Sequence, residues 1–239
     1  MPPIFIFRFL LAGVVFGFSL IAASAAPAHV LIRVPAGQPM PVELTPLLSS
    51  WRKAGHVAGV LLLTQGRSEK SERTAKFESL AVLEFSNEQA YTTWQHESAP
   101  SLPVGLIVRR ADILAHDQAE NIDHTRAIFV VNTYAPKVAP ARFIEFVQGY
   151  VKPLYEVMFG TKHLIRYTAY LERGELGQAD AINVLEYRDA AAFGAITAIK
   201  TNLRDQVAAA VPTYIQFDKI KDTLRVDGFG TTANYTQIP

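Results

Sequence analysis

Apolar and polar positions recur along this chain with two different periods, and the periods change over in a fixed order. Residues 29–35 (HVLIRVP) and 127–136 (AIFVVNTYAP) are short, β-branched and apolar, which predicts strands. Residues 41–55 (PVELTPLLSSWRKAG) put Leu44, Leu47, Leu48 and Trp51 at i, i+3, i+4 and i+7, one face of a helix. Residues 139–160 repeat that spacing with Phe143, Phe146, Val147 and Tyr150, and Pro153 should kink or break the helix. Strand patterns return at 55–67 (GHVAGVLLLTQGR) and 162–174 (KHLIRYTAYLERG), each ending in a Gly/Arg turn. The polar, Gly-containing stretches 64–79 and 172–180 then read as hairpin loops. Residues 105–114 (GLIVRRADIL) and 222–229 (DTLRVDGF) read as final strands.

The order repeats because the sequence repeats. VLEFSNEQAY at 82–91 returns as VLEYRDAAAF at 184–193, with Glu84 aligned to Glu186 and Ala90-Tyr91 aligned to Ala192-Phe193. Each half then reads strand, helix, strand, strand, helix, strand, the split βαβ pattern of ferredoxin-like folds. The expected class is α+β: two tandem ferredoxin-like units packed sheet to sheet. One face of each antiparallel sheet is bare of helices, and each half would supply the other's cover. The expected boundaries are a leader at 1–25, a first unit at 27–116, a charged linker at 117–126 and a second unit at 127–239.

At this level the chain resembles the dimeric α+β barrels. That superfamily includes antibiotic-biosynthesis-type monooxygenases, EthD-like proteins, muconolactone isomerases, chlorite dismutases and peroxidases that carry haem, and small domains of unknown function. The likeness is carried by residues 80–98 (LAVLEFSNEQAYTTWQHES): an apolar strand ending in Glu-Phe, a short loop, then a helix with Ala and an aromatic or His. Trp94 stands where those branches often place Trp or His, with His96 two positions later; the second copy has nothing like Trp94-Gln95-His96. Together with the clusters Arg166/Tyr167/Tyr170 and Trp94/His96, the resemblance implies a small-molecule barrel, the expected chemistry being cofactor-independent oxygenation or isomerisation of an apolar or aromatic compound held between sheet and helices. It implies no obligatory cofactor, with haem on His163 as a minor alternative. Because functions on this fold vary so widely, chemistry must be argued from a site.

Composition narrows the partners. With 23 Lys+Arg against 22 Asp+Glu, the chain lacks the basic face of a nucleic-acid binder. No cysteine means no disulfide and no thiolate chemistry. The first segment carries Arg8, an apolar run (FLLAGVVFGFSLIAA) and small residues at Ala23 and Ala25, the pattern of a secretory signal cut after Ala25 or Ala26. The alternative is an uncleaved anchor, since the run is nearly bilayer length. Cleavage would leave a periplasmic or secreted domain with no membrane span.

Phosphate loops, nucleophile elbows and H-E-x-x-H are all missing, so the candidates are polar residues set in apolar elements. His56 and His163 take equivalent places before the second strand of each half, either as general bases or metal ligands, or as helix C-terminal residues favoured by the macrodipole. In an extended strand His163 and Tyr167 share one face, while Arg166, Thr168 and Tyr170 share the other, which either lines a cavity or meets solvent. Tyr91, Trp94 and His96 would form an aromatic wall with an acid/base, or a core pair beside a solvated histidine. Glu84 and Glu186 would be acid and base, would hydrogen-bond a substrate without a cofactor, or would be surface residues; Asn183 would orient a reacting oxygen, by analogy with cofactor-free oxygenases. The expected catalytic set is therefore His163, Arg166, Tyr167 and His96. The expected ligand-binding set is Trp94, Tyr91, Tyr170, Asn183, Glu186, Glu84 and His56, with no metal site. His116 and His124, in the charged linker, read as solvated. The rival expectation is a non-catalytic module whose barrel is filled by side chains, with residues 208–214 serving partner contact.

Overall fold

A computed structural model describes residues 27–66, 77–177, 179–226 and 230–239. Residues 1–26, on which the expected leader falls, most of the first hairpin loop, residue 178 and residues 227–229 lie outside the described residues. The first half runs β1 (Ala28–Pro35), α1 (Leu44–Lys53), β2 (Gly59–Gln65), β3 (Phe77–Phe85), α2 (Glu88–Glu97) and β4 (Ile107–Gln118). The second half runs β5 (Ile128–Pro136), α3 (Pro140–Phe146), a π-helical turn (Val147–Val151), α4 (Lys152–Gly160), β6 (Leu164–Glu172), β7 (Ala181–Tyr187), α5 (Ala190–Ala210), α6 (Pro212–Leu224), the two-residue β8 (Arg225–Val226) and β9 (Gly230–Thr236).

Eight strands close into an antiparallel barrel in the order β7-β6-β4-β1-β3-β2-β9-β5, with β5 returning to β7. Within each half the strands lie fourth, first, third, second: β4-β1-β3-β2 and β9-β5-β7-β6. The halves meet at strand edges, β4 with β6 and β2 with β9. Closure therefore covers the bare faces differently from a face-to-face sandwich: the sheets join edge to edge, which removes their unpaired edges. Apolar side chains of both halves, including Leu31, Leu63, Leu80, Phe129, Val131 and Ile182, then fill the middle of the barrel.

The repeated phrase has a local cause. In each copy a strand ends, and the next residue but one caps a helix: Asn87 Oδ1 accepts from the Ala90 N–H at 2.9 Å, and Asp189 Oδ1 from the Ala192 N–H at 2.8 Å. Each cap satisfies a backbone donor with no intrahelical partner, an effect of about 1 kcal/mol. Trp51, Phe85 and Trp94 pack α1 and α2 onto the first half's sheet; Phe143, Phe146, Tyr155 and Tyr167 do so for the second.

Three expectations need correction. Pro153 does not end the helical run; lacking an N–H, it sits in the first turn of α4, and the Lys152 N–H reaches back five residues to the Val147 carbonyl, giving the π turn. Phe217 of α6 lies on the turn's Gly149, where a Cβ would come within 2.6 Å of its ring. The second half's last strand is β9, because Tyr214, Phe217 and Leu224 recur at helical spacing and carry α6 through Leu224. Finally, β4 runs on to Gln118, so His116 belongs to the barrel wall rather than to a free linker.

Candidate functional site at the barrel mouth

Every strand of the barrel turns alternate side chains inward. At one end, where β3 and β7 finish and β1, β2, β5 and β6 begin, those side chains leave a cavity of about 320 Å³. Its floor is apolar, with Leu61, Val82 and Val184, and its rim carries His29, His116, His124, Arg166, Glu84 and Tyr170. The opposite end is closed by ions: Arg33 donates to Glu172 at 2.9 Å and to Asp180 at 2.7 Å, nearly out of contact with water. Burial raises the Glu172 carboxyl above its usual range, and Arg33 pulls it part of the way back.

The two carboxylates that the repeat pairs come to the same mouth in different company. Glu84 lies across from Gly59 in the ladder, and Glu186 lies across from Arg166. Glu186 is wholly buried, with His124 Nδ1 2.5 Å from one oxygen and Arg166 Nη2 2.8 Å from the other, out of line for a hydrogen bond. The His124 ring rests against Tyr235, centroids 4.9 Å apart. Glu84 is exposed, and among the described residues no cation pairs with it. Gly59 leaves the room it occupies: a Cβ there would stand 3.0 Å from its carboxylate.

His116 Nδ1 lies 3.1 Å from the Tyr167 carbonyl and 2.9 Å from Thr168 Oγ1. A carbonyl only accepts, so Nδ1 carries the proton and Nε2 the lone pair. Burial holds the ring below the ordinary histidine range; the Tyr167 hydrogen bond opposes this, and Arg166 reinforces it. His29 is also held low, chiefly by burial, against the pull of Glu84. Both rings are therefore neutral at pH 7. Burial pushes the Tyr170 hydroxyl up to about 12, so it remains a donor.

Of the predicted residues, Arg166, Tyr170 and Glu84 line the cavity, and Glu186 stands behind its wall. The others lie elsewhere. Tyr167 faces the helices and packs on Tyr155 and Phe159. Asn183 faces the same way and donates to the Tyr155 hydroxyl at 2.9 Å. Trp94 is core against Trp51 and Phe85, and Tyr91 lies beneath the Arg110 guanidinium. His96 is exposed on α2, and His56 holds Ser98 on the outer surface. His163 precedes β6 outside the cavity, its backbone N–H on Thr161 Oγ1 and its Nδ1 buried without a hydrogen-bond partner among the described residues. The space between sheets and helices, expected to hold a ligand, is filled by aromatic core.

His29, His116 and His124 are the residues that sequence reasoning missed. The signal was available for His29, which alternates with Leu31 and Arg33 on the inward face of β1. His124 sits in a connection without periodicity, and nothing local marks it. Among the described residues no three His, Cys, Asp or Glu side chains are grouped to hold a metal ion.

No protein-family model matches the sequence, and no curated protein matches it. Solved structures do. A candidate monooxygenase of Fusobacterium nucleatum superposes with a TM-score of 0.56 at 13% identity, over 89% of this chain and 94% of that one. A candidate monooxygenase of Lactobacillus acidophilus gives 0.54 at 11%, over 87% and 93%. An anthrone oxidase-like protein gives 0.56 at 11%, over 88% and 91%. At these identities the likeness establishes a shared α+β barrel fold.

Proposed function

We propose that this protein is a tandem pair of ferredoxin-like units, exported by its N-terminal segment to the periplasm or beyond, that handles a small apolar or aromatic molecule. The ligand site is the barrel mouth, and the chemistry is cofactor-independent proton abstraction leading to oxygenation or isomerisation. The observation that carries this reading is one cavity joining an apolar floor, neutral imidazoles and an arginine. A neutral imidazole accepts a proton from an acidified C–H or O–H, and the arginine's charge stabilises the oxyanion left on the ligand. Dioxygen would then take the electrons in an oxygenation, while return of the proton to another carbon would complete an isomerisation. The names of the superposing structures support the class; the paired halves and the leader pattern support the tandem arrangement and export.

The test is a thermal-shift and native mass spectrometry screen with 2-naphthol and anthrone, followed by oxygen-uptake measurements. Binding raises the melting temperature in proportion to ligand excess over Kd. No stabilisation by any aromatic ligand overturns the reading. It would favour a non-catalytic module, to which the filled middle of the barrel already lends support.

A further inference from the structure

Resting on that reading of the cavity, we propose that His124, oriented by Glu186, is the group that moves the proton, acting on an aromatic ligand with an ionisable C–H beside a carbonyl. The three rim histidines are not equivalent. His29 has no hydrogen-bond partner among the described residues; its buried ring lies against Tyr170, and no polar group sets its tautomer. His116 is fixed by neutral acceptors: Arg166 opposes its protonation, and Asp117 and Glu84 favour it through space only, with no carboxylate among the described residues hydrogen-bonded to the ring. His124 alone faces a carboxylate, at 2.5 Å. That contact puts its proton on Nδ1, leaves Nε2 as the free nitrogen, and stabilises the imidazolium formed on proton transfer.

The carboxylate is itself kept in place by Arg166, which compensates its charge where burial alone would be costly. Around His124 stand Glu186 of β7, Arg166 of β6, the rings of Phe129 and Tyr235 from β5 and β9, and Asp123 and Arg126 of the connection itself. In the step, the ligand C–H bond breaks and the proton passes to His124 Nε2. The electron pair stays on the ligand as an enolate, whose negative charge the guanidinium of Arg166 in the cavity lining stabilises. The imidazolium then returns its proton to the same or another carbon, so the step needs no oxidant.

The probe is 2-tetralone in deuterated buffer without oxygen, with deuterium entry at its acidic carbon followed by NMR. The full-length protein should accelerate exchange. His124→Gln should slow it on the order of a hundredfold while 2-tetralone still binds, and the exposed His96→Gln should match the unaltered protein. Exchange undiminished in His124→Gln, or binding without exchange in the unaltered protein, overturns the assignment and leaves the ligand site standing. Neither binding nor exchange overturns both. A measurement on the unaltered protein guards against a misfolded variant: nitrogen NMR of the imidazoles should show His124 protonated on Nδ1, and protonation on Nε2 alone contradicts the dyad.

Discussion

The two halves bring the same residue to the same rim and give it opposite surroundings. Glu186 has Arg166 across the ladder, Phe129 beside it and His124 over it; Glu84 has Gly59, His29 and open solvent. A duplicated backbone thus supplies two carboxylates at one mouth, and the neighbours decide their roles. The buried one can orient a base, whereas the exposed one adds charge to the rim. Equivalence in sequence is equivalence of position, not of chemistry.

Substitutions that exchange these surroundings should separate the halves. The largest effect is expected from Arg166→Met, which strands Glu186 as a buried, uncompensated charge. Urea denaturation should show a loss of about 3–5 kcal/mol, against less than about 0.5 kcal/mol for Glu84→Gln. Equal losses would erase the contrast. Gly59→Arg gives the first half the cation it lacks and fills part of the cavity; affinity for 2-naphthol, read by calorimetry, should fall at least about tenfold, or roughly 1.4 kcal/mol.

His29→Phe gives β1 the residue that β5 carries at the equivalent rung, and it should act through pH. Burial lowers the His29 pKa in the folded state, so as pH falls through about 6.5 the unfolded chain takes up a proton that the folded chain resists. This residue's contribution is therefore intact above that pH and is lost below it. The urea midpoint of His29→Phe should decline less than the parent's between pH 7 and pH 5. The smallest effect belongs to His96→Gln on the solvent side of α2, expected within about 0.5 kcal/mol and without influence on binding.

The contrast also explains what could be read from the sequence. Strand and helix periods located most elements, and the repeated strand–cap–helix phrase exposed the two halves, because caps and periods are local. Parity along β6 separated Arg166, Thr168 and Tyr170 from Tyr167, and the structure turns those three inward. Which face was inward depended on closure through β4–β6 and β2–β9, pairings between residues far apart in sequence. For the same reason Trp94, Asn183 and Tyr167 looked like a site and are core, while His124 looked like solvated linker and meets a buried glutamate.

The chain's six histidines divide evenly: His29, His116 and His124 line the mouth, and His56, His96 and His163 do not. Titrating 2-naphthol into protein with isotope-labelled histidine rings therefore tests the placement of the site directly. Shifts confined to the first three are the predicted result. Shifts at His56, His96 or His163 with the mouth histidines silent would place the ligand elsewhere and contradict the account.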